Sequence, residues 1–162
     1  MTGDKYPGRV LALDLGSRTI GAAISDESRT IAQPLRTIPR QRQGYRRDLA
    51  AIRKMASEMR VTTIVIGLPL TMDGRHGTQA QKVVEFAEIL RARMDIPVIF
   101  HDERLSTFEA QETLRDADLP RERWKAHVDA IAAAIILRDY LKATASRDET
   151  GSSQVPAGTN ET

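Results

Sequence analysis

The sequence predicts an α/β domain built on a five-stranded mixed sheet, three antiparallel strands followed by two parallel ones, with helices on both faces. Three observations predict it. Apolar runs without alternation begin near residues 8, 61 and 96, the pattern of strands buried on both faces. Two further strand-like segments follow the first run after short turns, which favours antiparallel neighbours. Helical periodicity separates the later runs, which favours parallel strands joined by right-handed crossovers.

Each element has its own local reason. "RVLALD" is the first strand, about residues 8 to 14, and "GSR" turns the chain into a second at about 18 to 25. "RTIAQPLRTIP" is a third, placed near an edge because Pro34 cannot donate to a ladder. Over about 45 to 60, Leu49, Ile52, Ala56 and Met59 share one helical face, while Arg46, Arg53 and Arg60 recur every seven residues beside it. "VTTIVIGLP" is the fourth strand. A loop bracketed by Gly67, Gly74 and Gly77 leads to a helix at about 79 to 94, with Thr78 and Gln81 as its capping box and Val83, Phe86, Ala87 and Leu90 facing inward. "IPVIFHDE" is the last strand. Ser106 and Glu109 form a second capping box before a helix at about 107 to 117, and a final helix spans about 121 to 142.

Composition bounds the function. The chain has 162 residues, 41% hydrophobic and 28% charged, as expected of one globular domain. It has no cysteine, which excludes disulfides and thiolate metal sites. No apolar leader and no membrane-length apolar run is visible, so the expected location is the cytoplasm, with no membrane partner. The domains read as a short extension at 1–7, a folded unit at 8–142 and a disordered tail at 143–162, rich in Gly, Ser, Thr and Pro. Residues 1–142 carry 23 Lys and Arg against 19 Asp and Glu. The excess is concentrated in residues 29 to 60, where nine cations face Asp48 and Glu58, a footprint suited to a polyanion.

Two carboxylates lie where a core is expected. Asp14 ends the first buried strand, and Asp129 lies on or beside an apolar helix face with Ala132, Ala133 and Ile136. Asp102 and Glu103 end the last strand, where side-chain alternation lets only one of them easily point into the cleft of Asp14. Three clustered carboxylates repel one another unless protons or divalent cations neutralise them. An all-oxygen donor set favours Mg²⁺ or Mn²⁺ and suits two-metal phosphodiester hydrolysis. Arg18, Arg75 and Arg104 are candidate phosphate contacts, beside the Arg46 and Arg53 stripe. Trp124 is placed either to stack on a base or to anchor its helix. Ser106 and Thr107 read as helix caps, and His76, His101 and His127 have no pairing spacing.

"LALDLGSRTIGAAISD", "IVIGLPLTMDGRHGTQAQ", "FHDERLST" and "KAHVDAIAAAIIL", in this order, resemble the YqgF/RuvX family of pre-16S rRNA nucleases, also described as Holliday-junction resolvase homologues. The resemblance covers about residues 8 to 142. It implies the RNase H-like fold and a metal-dependent endonuclease that processes the 5′ end of pre-16S rRNA in ribosome biogenesis. Asp14, Glu103 and Asp129 would be its catalytic and metal-binding acids, holding Mg²⁺ or Mn²⁺ as two ions, with Asp102 as a substitute or supporting acid. The implied partners are structured precursor ribosomal RNA and the ribosomal subunit, for a monomer or homodimer. Two alternatives stand beside it: a DNA junction resolvase, and a non-catalytic ribosome- or RNA-binding factor. Related resolvases carry an acid after the fourth strand, where this chain has Gly67, Leu68 and Pro69. "DLGSRT" also resembles the phosphate-binding hairpin of actin-like ATPases, a two-lobed class for which this chain is too short.

Overall fold

The computed structural model describes residues 7–40, 44–103 and 121–151, with side chains placed from 128 to 146 in the last stretch. The elements are β1 (Arg9–Leu15), β2 (Thr19–Ser25), β3 (Ala32–Pro39), α1 (Arg46–Glu58), β4 (Val61–Leu68), α2 (Thr78–Arg93), β5 (Val98–Asp102) and α3 (Arg121–Gly151). They form one sheet in the order β3-β2-β1-β4-β5. β1 pairs antiparallel with β2 and parallel with β4, β2 pairs antiparallel with β3, and β4 pairs parallel with β5. β3 is an edge strand, as Pro34 requires. Its register slips between Ala22 and Ala23, leaving Leu35 as the extra residue of a bulge.

Strand alternation sorts the core into two layers. Leu11, Leu13 and Leu15 of β1 pack with Ile20, Ile64 and Ile66 against Leu49 and Ile52 of α1 and Val83, Phe86 and Leu90 of α2. Val10 and Ala12 point the other way and pack with Ala23 and Val65 against Ala133, Ile136 and Leu137 of α3. The apolar run in β1 is continuous because both faces are covered.

Several local expectations are corrected. α2 begins at Thr78 with Gly77 as its N-cap and no side-chain cap bond, so the Thr78 and Gln81 capping box does not form. Gln81 N–H instead makes the first helical bond, to Gly77 O. Gly67 lies inside β4 rather than in the loop after it. Arg60 falls past the end of α1 with φ 54°, which leaves only Arg46 and Arg53 of the septad series on the helix. α3 continues past residue 142 to Gly151, so the first part of the expected tail is helical. Residues 142 to 150 contain no Gly or Pro, and an already docked helix extends through such a segment without a new nucleation cost. Thr144 and Ser146 donate their hydroxyls back to Tyr140 O and Lys142 O, which satisfies them within the helix. The helix expected at 107–117, its Ser106 and Glu109 cap, Thr107, and residues 152–162 lie outside the described residues.

Candidate active site

Asp14 stands two residues beyond Ala12 and therefore faces α3, at the carboxyl end of β1. Its partner across the antiparallel ladder is Gly21. A Cβ on Gly21 would stand 1.9 Å from Asp129 O, so the glycine lets the backbone of α3 rest directly on β2. That contact brings the Asp129 carboxylate within electrostatic reach of Asp14. Thr19 Oγ1, at the start of β2, donates to Asp129 Oδ2 at 2.5 Å and aims it.

Glu103 follows β5 and enters from the other side. Gly67 of β4, in register with His101, leaves the hollow that the Glu103 carboxylate fills: a Cβ there would stand 2.2 Å from Glu103 Oε1 and 2.6 Å from Ile136 Cδ1. Glu103 and Asp14 are hydrogen-bonded to each other, a pairing of two carboxyl groups that requires a proton between them. Burial raises the pKa of Asp14, the bond to Glu103 opposes that rise, and the charge of Asp129 adds to it. Burial also raises Glu103, to about 8, with further contributions from the bond to Asp14 and from the charges of Asp14 and Asp102. Asp102 itself is in register with Leu68, a residue of the α1/α2 core layer, and so belongs to the opposite face. Alternation thus resolves the choice between Asp102 and Glu103: Glu103 shares the cleft with Asp14.

Among the described residues no three Asp, Glu or His side chains already form a metal cage. The three carboxylates instead sit in two holds, a proton-sharing Asp14–Glu103 pair and an Asp129 bound by Thr19. His101 lies beside them with Nε2 buried and without a hydrogen-bond partner among the described residues.

The predicted cationic contacts are more dispersed. Arg18 is exposed in the β1–β2 turn, and its carbonyl accepts from Arg40 N–H at 2.8 Å. Arg46 and Arg53 are exposed on α1, a helix on the face of the sheet opposite the acids. Arg75 is exposed in the loop after β4 and is paired with Asp73 at 3.2 Å. Arg104 lies outside the described residues, as do the side chains of Trp124 and His127. Sequence reasoning missed Thr19 and the roles of Gly21 and Gly67. The available signal was a lone glycine inside each of two apolar strands, a mark of close approach by another chain segment.

A sheet of this order and polarity, carrying a carboxylate at the end of its central strand and a helix that delivers another across the sheet, has the architecture of the RNase H-like fold. Thermus thermophilus RuvC superposes with a TM-score of 0.56 at 13% identity, over 85% of this chain and 96% of that one. The same protein in complex with a Holliday junction substrate gives 0.54 at 16% identity over the same shares. At these identities the likeness establishes the fold alone. The family is given by the sequence: residues 8–143 match the model described as "RuvX: Holliday junction resolvase". A protein of Roseiflexus sp. (strain RS-1) named "Putative pre-16S rRNA nuclease" is 46% identical over 138 residues, 83% of this chain and 94% of the relative. The chain belongs to the RuvX family and is a nuclease of that family.

Proposed function

We propose that this chain is a divalent-metal-dependent endonuclease acting on structured RNA, with precursor 16S rRNA, at its 5′ end, as substrate. The observation that carries this reading is the convergence of Asp14, Glu103 and Asp129 from a strand, a loop and a helix onto one face of the sheet. The pKa values of Asp14 and Glu103 rise because burial and the neighbouring carboxylates penalise their charged forms, and a cation relieves that penalty. The donor set fits a hard divalent ion: it is all carboxylate oxygen and half-buried. Asp14, Glu103 and Asp129 would hold Mg²⁺ or Mn²⁺, as two ions. A cation bound there supplies Lewis acidity for activating water and for charge on the leaving oxygen.

The residues of the chain do the rest. Asp14 and Glu103 would present their carboxylates to a cation once their shared proton is lost to solvent, and Thr19 donates to one oxygen of Asp129, which fixes the orientation of that carboxylate. Arg18, in the β1–β2 turn at the carboxyl end of β1, and Arg46 and Arg53, exposed on α1 across the sheet from the acids, hold the phosphate backbone by charge. The alternative substrate is a four-way DNA junction, supported by the family description and by the junction-bound RuvC neighbour. A non-catalytic binder gains nothing from half-buried carboxylates aimed at phosphate.

The test is cleavage of a precursor 16S rRNA fragment and of a DNA four-way junction with Mg²⁺ or Mn²⁺, comparing the native chain with Asp14→Asn. RNA cleavage that EDTA and the substitution both remove supports the proposal. Preference for the junction moves the substrate to DNA, and unimpaired cleavage by Asp14→Asn overturns the site.

A further inference from the structure

The turn that joins β1 to β2 separates two groups of the acid site, and a side chain from the other face of the sheet grips it. Asp14 lies two residues before Gly16 and Thr19 three after it. Gly16 N–H donates to Thr19 O at 2.9 Å, which closes the turn. The closure is tight, because a Cβ on Gly16 would stand 3.0 Å from that same oxygen. Arg40, the residue after β3, holds the turn at two carbonyls. Its backbone N–H donates to Arg18 O at 2.8 Å, and its guanidinium Nη1 donates to Gly16 O at 2.7 Å.

The guanidinium is itself built in. Its Nε pairs with Asp48 Oδ2 of α1 at 3.5 Å, and the side chains are 18% and 2% exposed. Its central carbon lies 5.7 Å from the centre of the Tyr45 ring and 5.8 Å from that of Phe86, and the two rings meet edge to face. A planar group with several donors suits a place where a carboxylate, two rings and a carbonyl are reached together. Stability alone does not explain it, since apolar side chains often replace a buried ion pair without loss. What the arginine adds is a directed donor to Gly16 O. We propose that Arg40 is a positioning residue for the carboxylate site: by fixing Gly16 and Arg18 from the side of α1 and α2, it sets where Asp14 and Thr19 stand on the side of α3. Through Thr19 it also sets the orientation of Asp129. The role of these acids as metal ligands is taken from the nuclease reading above, and Arg40 acts on them through the turn.

The test uses the full chain and two variants. Arg40→Met with Asp48→Asn removes the grip on Gly16 O without leaving a buried charge unpaired. Arg40→Lys keeps the charge opposite Asp48 but lacks the planar fork, and it serves where the double variant does not fold. In EDTA, the amide chemical shifts of Thr19, Gly21 and Asp129 are expected to move in both. Mn²⁺ affinity, measured by calorimetry, should fall about tenfold in the double variant and about threefold in Arg40→Lys. Affinity for a precursor 16S rRNA fragment in EDTA should stay the same. A merely structural role lowers Tm but leaves the Asp129 shift and the Mn²⁺ affinity of the folded protein at their native values, and that result would overturn the proposal. Loss of RNA affinity with native Mn²⁺ affinity would overturn it as well. A native chain that binds no Mn²⁺, or binds it equally well after Asp14→Asn, counts against the nuclease reading alone. The shifts in EDTA need neither metal nor cleavage, so they decide separately whether Arg40 sets the contact between Thr19 and Asp129.

Discussion

Gly21 carries the backbone of Asp129. A Cβ at residue 21 would stand 1.9 Å from Asp129 O and 2.3 Å from its carbonyl carbon, and Gly21 is also the cross-strand partner of Asp14. One missing methyl group therefore sets the distance between two of the three acids. Gly21→Ala is expected to lift α3 from β2, because rigid backbone rather than a flexible side-chain end blocks the added carbon. The loss should reach about 3 kcal/mol, the upper part of the usual overpacking range, and activity should fall with it. Thermal unfolding and cleavage of the same preparation check both.

Gly67→Ala should behave differently. The added carbon meets the end of Glu103 and a methyl of Ile136, both of which turn aside more easily than backbone. Stability should fall by about 1–2 kcal/mol, while cleavage falls steeply because Glu103 is pushed away from Asp14. A variant that melts early yet cleaves normally would show that Glu103 is not needed in that hollow.

Thr19→Val removes the hydroxyl that orients Asp129 and keeps its shape. Partners that aim a metal-binding carboxylate are typically worth about 10–100-fold in metal affinity or activity. The metal concentration for half-maximal cleavage should rise accordingly, with little change in Tm.

The raised pKa values give stability a pH dependence with a definite sign. Glu103 binds its proton up to about 8 when folded, against 4.5 as the ordinary value, so across that window the folded state holds more protons than the unfolded one. The contribution is fully present below pH 4.5 and is lost as pH rises through about 8. Metal-free protein should therefore melt at progressively lower temperature over that interval. Glu103→Gln should flatten the profile, and Mg²⁺ or Mn²⁺ should restore Tm at the alkaline end. A Tm in EDTA that does not fall across the window would contradict this account.

Arg46→Glu and Arg53→Glu should weaken RNA binding and reduce the slope of log affinity against log salt by about 1 for each phosphate no longer neutralised. Both residues lie on α1, away from the acids, so kcat at saturating RNA should hold while KM rises. A fall in kcat alone would place them in the chemistry instead.

Much of this architecture is legible in local sequence. The unbroken apolar runs of β1 and β4, the placement of Pro34 on an edge and the helical face through Leu49, Ile52 and Ala56 follow from near-neighbour periodicity, which depends only on how a backbone repeats. The same rule showed that Asp102 and Glu103 cannot both enter one cleft. The run of Ser and Thr after residue 142 misled, because composition carries no record of whether a preceding helix is docked. The N-terminus of α2 misled as well: Thr78 matches a cap in sequence, but backbone dihedrals place the cap at Gly77.

Sequence alone determined that Asp14 and Asp129 are acids in apolar settings and that the chain's cations are concentrated between residues 29 and 60. Only the tertiary structure decided that Glu103 joins Asp14, that Thr19 holds Asp129, and that α1 carries its arginines on the far face of the sheet. The physical reason is separation along the chain. Periodicity reports which face a residue takes within its own element, whereas Thr19 and Asp129 meet across 110 positions through close approaches that two glycines permit and no local pattern records.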